Sequence, residues 1–270
     1  MEKRSTYRWN PEDYSLHSKE QERWARELIA KLGLKGDERV LDLGCGDGKV
    51  TAEIARFLSD GSVLGIDSSP EMIEFAKSSF MDASKNLAFL CVDVREMGFT
   101  REFDLVFSNA ALHWVKDHGP VLVRIKKALR PGGRVVLQMA GEGNAATVVQ
   151  TVSEVIGREP WSPFFEGFTF PYGFYGPDQY RAMVEEAGLV VKRLELIPKQ
   201  MVHKGREGLS GWVRTTWLPY IERVPMEQRD RFIEDIVLTY GSSHPPREGV
   251  FHLDMMRLEL EAFREARKAG

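Results

Sequence analysis

Apolar positions along this chain switch repeatedly between a period of two and a period of three to four, and each switch marks an element. An aromatic, polar segment at 7–14 comes first, and Trp24, Leu28 and Leu32 then share one face of a helix predicted over 18–32. Gly33 and Gly36 bracket the end of that helix. Short apolar runs follow in alternation with helical spacing. They predict strands at 38–43, 62–66, 87–92, 103–107 and 134–139, with helices over 49–58, from Pro70 through Ala76, and over 119–129. Arg130-Pro131-Gly132-Gly133 reads as the stop before the fifth strand. Such βα alternation favours a parallel sheet covered on both faces.

Beyond the fifth strand the pattern loosens. Helices are expected near 146–157, over 177–188 and twice between 205 and 243, with a long strand over 189–202. Trp161, Phe164, Phe165, Phe168, Phe170, Tyr172, Phe174 and Tyr175 crowd a stretch rich in Pro and Gly, which suits either a cover over substrate or plain core. The tail reads two ways. Met256, Leu258, Leu260 and Ala262 alternate with Arg257, Glu259 and Glu261 as in a strand, while Leu253, Met256, Leu260 and Phe263 fit a helix.

Candidate chemistry centres on Asp42-Leu43-Gly44-Cys45-Gly46-Asp47-Gly48, between the first strand and its helix. A glycine turn there brings bare backbone N–H groups near a ligand at a helix N-terminus. The next strand ends in Asp67, an acid placed to take both hydroxyls of a ribose. These parts form half of a nucleotide-binding unit. A dinucleotide fingerprint would need glycine three residues after Gly46, where Lys49 stands. A glycine turn without a ligand is the bland alternative.

A net charge of −3 argues against a general nucleic-acid binder. There is no apolar run of membrane-spanning length and no apolar leader after Met1, so a reduced, cytoplasmic protein is the expectation. Cys45 and Cys91 fall in predicted core elements and suggest neither a disulfide framework nor a metal site.

The Gly44, Gly46, Gly48 pattern resembles motif I of the class I S-adenosylmethionine-dependent methyltransferases. Gly65-Ile66-Asp67-Ser68-Ser69-Pro70-Glu71-Met72-Ile73, Phe107-Ser108-Asn109-Ala110-Ala111-Leu112-His113-Trp114 and Gly211-Trp212-Val213 extend the likeness. They bring it closer to the carboxylate-methylating branch that includes the trans-aconitate and juvenile hormone acid methyltransferases. The resemblance implies an α/β, Rossmann-like sheet of seven strands, six parallel and one antiparallel, with helical cap insertions. That fold needs an antiparallel seventh strand beside the fifth, which selects the strand reading of the tail. A single domain over 1–270 is expected, with an N-terminal cap segment at 1–36, a cofactor-binding core at 37–142 and substrate-cover insertions at 143–176 and 204–249.

The resemblance also implies the site. S-adenosylmethionine would be held by Asp42, Gly44, Cys45, Gly46, Asp67, Ser68, Asp93, Val94 and Asn109. Asp42 would serve the amino group, Asp67 the ribose, and Asp93 with the Val94 N–H the adenine. Gly44 and Gly46 would let backbone pass against the methionine part. Gln21 and Trp114 match a carboxylate clamp, with Tyr14, Trp212 and Arg214 as further substrate residues. His113 is the candidate base for a phenol or amine acceptor. Each has a plainer reading: Trp114 as packing, Gln21 as a solvated helix residue, His113 as structural, Asp93 or Asn109 as a turn-former after a strand. An ionised carboxylate needs no base, so methyl transfer to a small-molecule acid leads. Transfer to another O, N or C atom, or a binding module without turnover, are the alternatives; oligomeric state is left open.

Overall fold

Neighbouring residues of the central strands face opposite ways, and both ways are apolar. In the computed structural model, which describes residues 7–81 and 84–266, Val40, Leu105 and Phe107 join one buried cluster while Leu41, Leu43 and Val106 join another. A strand buried on both faces needs a continuous apolar run, which is how these read in the sequence. The strands are β1 (Arg39–Leu43), β2 (Ser62–Asp67), β3 (Leu87–Cys91), β4 (Phe103–Asn109), β5 (Leu129–Ala140), β6 (Val190–Lys204) and β7 (Val250–Phe263). They form one sheet in the order β3-β2-β1-β4-β5-β7-β6. β1 to β5 pair in parallel, and β7 runs against β5 with Leu260 opposite Leu137. The tail is therefore a strand, and the mixed seven-stranded sheet of the resemblance is present.

The helices are α1 (Pro11–His17), α2 (Lys19–Ala30), α3 (Lys49–Ala55), α4 (Pro70–Phe80), α5 (Gly119–Ala128), α6 (Ala146–Ile156), α7 (Pro177–Glu186), α8 (Gly205–Thr216), α9 (Leu218–Ile221) and α10 (Arg229–Ser243). Two features differ from the sequence reading. Residues 11–17 are helical: Pro11 occupies the first turn and the Asn10 side chain accepts from the Asp13 N–H at 3.1 Å. The fifth strand starts at Leu129, not 134. Leu129 pairs with Phe103, Arg134 pairs with Leu105, and the register shift between them lets Pro131 and left-handed Gly132 (φ 83°) lie within the strand.

The described residues divide into two compact units. One holds the described residues up to Glu20 with Gly143–Pro171 and Pro198–Met256; the other holds Gln21–Glu142, Tyr172–Ile197 and the chain from Arg257 onward. Both boundaries near the C-terminal half fall inside β6 and β7. The N-terminal boundary between these units lies after Glu20, and Leu28 and Ile29 of α2, with Leu32 just after it, join the core that α3 and α4 share with the sheet. In the sheet unit α5 and α7 cover the opposite face, through Val121, Leu122, Ile125, Tyr180 and Val184.

The aromatic stretch is shared between the units. Trp161 is fully buried against Phe232 of α10 at 5.0 Å and donates its indole N–H to Asp235 at 2.8 Å, while Phe168 meets Tyr220 at 4.7 Å. These rings are core of the first unit. Tyr172, Phe174 and Tyr175 belong to the sheet unit. No helix among the described residues is long and apolar enough to cross a membrane.

One buried carboxylate ties four elements of the sheet unit together. Glu259 of β7, 1 % exposed, accepts from Lys31 just after α2 (2.9 Å), Gln138 of β5 (2.9 Å) and Arg193 of β6 (2.9 Å). Burial raises its pKa, but the donated hydrogen bonds outweigh that and hold it below the usual glutamate range. Glu259→Ala is expected to cost about 2–3 kcal/mol in urea unfolding, below the range for a fully buried pair because Lys31 is half exposed. Since the native carboxyl is the stronger acid, the wild-type advantage is present above the unfolded pKa and lost as pH falls through the native one.

Candidate active site

The strand ends β1 and β2 are joined before any ligand is considered. The carbonyl of Ile66 accepts from both Gly44 (2.8 Å) and Cys45 (3.0 Å), and the Asp67 carboxylate accepts from the N–H of Gly46 (3.0 Å) and of Ser69 (2.9 Å). Ser69 in turn caps α4, its hydroxyl accepting from the Met72 N–H at 3.2 Å. Asp67 therefore fixes both the glycine turn and the start of α4. Each of its oxygens keeps a lone pair for a further donor, as two ribose hydroxyls require. Burial pushes its pKa up, against the amides of Ser69, Gly46 and Ser68.

The three glycines have different reasons to be glycine, although all are left-handed. A Cβ on Gly44 would lie 2.2 Å from the Ala111 methyl, and one on Gly48 would lie 2.7 Å from Ala76 and 2.8 Å from Phe89. Both are small because protein packs against them. At Gly46 a Cβ would meet nothing within 4 Å. Of the three it is the position where an added side chain would enter open space, so that a cofactor can approach it closely. This open cradle beside the paired Asp67 fits the methionine and ribose parts of S-adenosylmethionine.

Asp42 is buried beneath the turn, accepting from the Thr51 hydroxyl at 2.7 Å. Burial pushes its pKa up to about 7, aided by the charge on Asp67 and opposed by Thr51. Cys45 is buried, its amide donates to the Ile66 carbonyl, and burial pushes the pKa of its thiol upward. Ser68 is exposed and its carbonyl accepts from the Cys91 thiol at 3.8 Å. Asp93 accepts from the Arg95 backbone N–H and binds its guanidinium, at 2.6 Å from Nη2. An adenine amino group would thus share this carboxylate with Arg95. Val94 is half buried against the core of the sheet unit.

Asn109, the last residue of β4, donates from Nδ2 to the backbone carbonyl of Gln21 at 3.2 Å and so fastens the start of α2 to the strand end. The side-chain oxygens of Asn109, Gln21 and Gln138, the Trp24 indole nitrogen and His113 Nδ1 are all buried without a hydrogen-bond partner. Gln21 is not the solvated helix residue of the plainer reading. After β4 a single 3-10 turn, Leu112–Trp114, carries His113 and Trp114. It is braced from the 172–175 segment: Gly173 donates to the His113 carbonyl at 2.9 Å, and Tyr172 meets the Trp114 ring edge-on at 5.2 Å. Burial, then the charge of Arg257 and that of His118, hold the His113 pKa well below the usual value, so the ring is neutral.

Two residues of this unit carried no functional reading from sequence. His118 meets the carbonyls of Leu112 (2.8 Å) and Val115 (3.0 Å) through Nε2 and the Tyr180 hydroxyl (3.2 Å) through Nδ1. Carbonyls only accept, so Nε2 carries the proton, and a pKa lowered to about 4 by burial keeps the ring neutral. It closes the loop that bears Trp114. Arg257, 3 % exposed, has its guanidinium 5.2 Å from the centre of the Trp24 ring. Its place in an alternating tail gave only a polar face, with no sign of burial.

Tyr14, Trp212 and Arg214 lie in the other unit. Trp212 is buried against His203 and Trp217 (5.4 and 5.9 Å), and Tyr14 meets Trp9 edge-on at 5.5 Å. Arg214 forms a two-pronged pair with Asp13 at 2.7 and 2.8 Å, which engages its charge within that unit. Among the described residues no cluster of His, Cys, Asp or Glu could hold a metal ion.

Asp42 generates a pH prediction for the ligand-free protein. Its native pKa near 7 exceeds the unfolded value of about 4, so between these pH values the native state binds more protons than the unfolded one. Stability should therefore fall as pH rises through that window, by up to about 1.4 kcal/mol per pH unit. Asp42→Asn keeps an acceptor for Thr51 and should flatten this slope in unfolding titrations run from pH 4 to 8.

A methyltransferase domain profile matches residues 34–188, more than half of the chain. The chain is 31% identical over 241 residues to a trans-aconitate 2-methyltransferase of Mycobacterium sp. (strain KMS), covering 88% of this chain and 92% of that one. In structure it is similar to the YcgJ protein of Bacillus subtilis, with a TM-score of 0.62 and 15% identity, over 90% of this chain and 99% of that one. It is also similar to Haemonchus contortus phosphoethanolamine N-methyltransferase 2 in complex with S-adenosyl-L-methionine, with a TM-score of 0.55 and 18% identity, over 90% of this chain and 52% of that one. With the glycine turn, the terminal acids and the seven-stranded sheet, these matches make the chain a member of the class I S-adenosylmethionine-dependent methyltransferases.

Proposed function

We propose that this methyltransferase esterifies the carboxylate of a small organic acid, held by Gln21 and Trp114. The observation that carries the reading is the placement of Gln21: its backbone carbonyl accepts from the Asn109 side chain at the end of β4, and its side-chain oxygen is buried without a hydrogen-bond partner. A neutral amide and a neutral indole suit an acceptor whose charge must be oriented without being quenched. Similarity to an enzyme named for an organic acid, trans-aconitate, supports the same acceptor class.

S-adenosylmethionine supplies a methyl group already activated on a sulfonium sulfur. The residues of this chain have binding and positioning to do. Asp67 would take the ribose hydroxyls, Asp42 the amino group, and Asp93 with the Val94 N–H the adenine. Gln21 would present its amide N–H and Trp114 its indole N–H to one carboxylate, and the braces from Tyr172 and Gly173 limit the motion of the Trp114 turn. His113 supports the reading by its neutrality: a ring whose pKa is held far down by burial is a poor base for a phenol or amine.

A carboxylate with a pKa near 4 is ionised across the working range, so kcat at saturating cofactor should stay flat from about pH 6 to 9. Trp114→Phe keeps the ring, deletes the donor and should lower kcat about tenfold, while His113→Ala should matter much less. Transfer of labelled methyl from S-adenosylmethionine across a panel of acids, amines and phenols checks all three. A base-labile ester product is expected. A rate that climbs through a histidine-like pKa and collapses in His113→Ala would replace the carboxylate by an acceptor that must lose a proton. Separately, Asp67→Ala should weaken cofactor binding by about 1.5–3 kcal/mol in calorimetry. Unchanged affinity in the folded variant would remove Asp67 from the ribose site.

A further inference from the structure

Residues 110–118 join β4 to α5 and carry the Leu112–Trp114 turn. The entry to this loop is strained. Ala110 is left-handed (φ 55°), a conformation that a residue with a Cβ keeps only where its surroundings hold it, and its N–H donates to the Gln138 carbonyl at 2.8 Å. Ala111 packs against Gly44 and leaves no room there for a Cβ. One side chain holds the exit. His118, 1 % exposed, donates from Nε2 to the carbonyls of Leu112 (2.8 Å) and Val115 (3.0 Å), the two residues that flank His113 and Trp114.

The imidazole is itself oriented from α7. Tyr180 is fully buried with its hydroxyl 3.2 Å from Nδ1, and burial pushes the pKa of that hydroxyl up, so it stays protonated and donates. A neutral ring that accepts at Nδ1 carries its own proton on Nε2, where the two carbonyls take it. Segment 172–175 closes the other side. Gly173 donates to the His113 carbonyl at 2.9 Å, and the Tyr175 hydroxyl donates to the Lys116 carbonyl. A Cβ on Gly173 would lie 2.5 Å from the Val115 carbonyl oxygen and 3.3 Å from His118 Nε2, so the segment lies flush on the clamp. The carbonyls on both sides of Trp114 are therefore held by donors from three separate stretches of chain.

We infer that His118 is a positioning residue for methyl transfer: by binding the Leu112 and Val115 carbonyls it holds the turn so that Trp114 meets the acceptor. This rests on the reading of Trp114 above as a donor to the acceptor. His118 acts through the backbone of the turn, with Tyr180 fixing its ring. A turn that shifts by a fraction of an ångström still admits the acceptor but misaligns it against the methyl–sulfur bond, so the loss falls on kcat rather than on KM.

A double-mutant cycle separates positioning from mere support of the fold. Labelled methyl transfer to the fastest acceptor of the panel above is measured for wild type, His118→Leu, Trp114→Phe and the double variant. His118→Leu should lower kcat about tenfold and change the acceptor KM by less than about threefold. In the Trp114→Phe background the same substitution should cost less than about threefold, because the donor it places is already gone. Affinity for S-adenosylhomocysteine in calorimetry should stay within about threefold throughout. His118→Gln, whose amide N–H groups can still reach the carbonyls, should keep at least about a third of the wild-type kcat. Equal kcat losses from His118→Leu in both backgrounds would overturn the inference and leave His118 a support of the fold. So would a loss confined to KM or to S-adenosylhomocysteine affinity. Unchanged kcat in Trp114→Phe alone would remove the donor reading, and the inference with it. The cycle runs on an acceptor of any class, so its result is separate from whether that acceptor is an acid. If circular dichroism shows that His118→Leu does not fold, Tyr180→Phe replaces it in the cycle, with an expected kcat loss of about threefold that disappears in the Trp114→Phe background.

Discussion

The Ile66 carbonyl, with two amides of the glycine turn on it, is the constraint from which the cofactor site follows. By accepting from Gly44 and Cys45 it joins the end of β1 to the end of β2, and Asp67 extends the seam by holding Gly46 and Ser69. Those amides are spent inside the protein, within the turn that joins the two strands. It stays folded back with Gly46 facing open space. Asp67 bears the electrostatic consequence. A half-buried carboxylate with amide donors remains an acceptor for hydroxyl groups, although burial lifts its pKa.

Charge around the strand ends is distributed unevenly. At the ends of β1, β2 and β3 stand the acids Asp42, Asp67 and Asp93, with Asp42 raised to about 7 and Asp93 paired with Arg95. Beyond β4, the amides of Gln21, Asn109 and Gln138, the Trp24 indole and the neutral His113 are accompanied by two buried charges, the cation Arg257 and the carboxylate Glu259. An electron-poor cofactor carrying an ammonium suits the first side, and the anionic acceptor proposed above would meet the neutral donors of the second. Opposite charges on donor and acceptor favour their approach in a site of low polarity, where the interaction is stronger than in water.

Much of this was legible in the sequence, because parallel strands buried on both faces announce themselves as short apolar runs and the glycine turn is local. Asp42, Asp67, Asp93 and Asn109 follow from where those runs stop. A local signal for α1 stands in its Asn10-Pro11 start, but the aromatic residues around it obscure the period, and the segment reads only as aromatic and polar. The start of β5 was hidden because Pro131 and Gly132 look like a stop, and only pairing with β4 shows that they bulge within a strand.

What the sequence by itself determined, then, is the order of elements and the acids at strand ends, since these depend on residues a few positions apart. Tertiary structure alone decided which glycine is open and which is packed, because Ala111 and Phe89 reach Gly44 and Gly48 from distant segments. It also divided the aromatic stretch, sending Trp161 to Asp235 and Tyr172 to Trp114. Arg257 is the clearest case. In an alternating strand its position reads as solvent-facing; the antiparallel pairing of β7 with β5 turns that face beneath α2, where the arginine is buried against Trp24. Periodicity states which residues share a face, and only long-range packing states what that face meets.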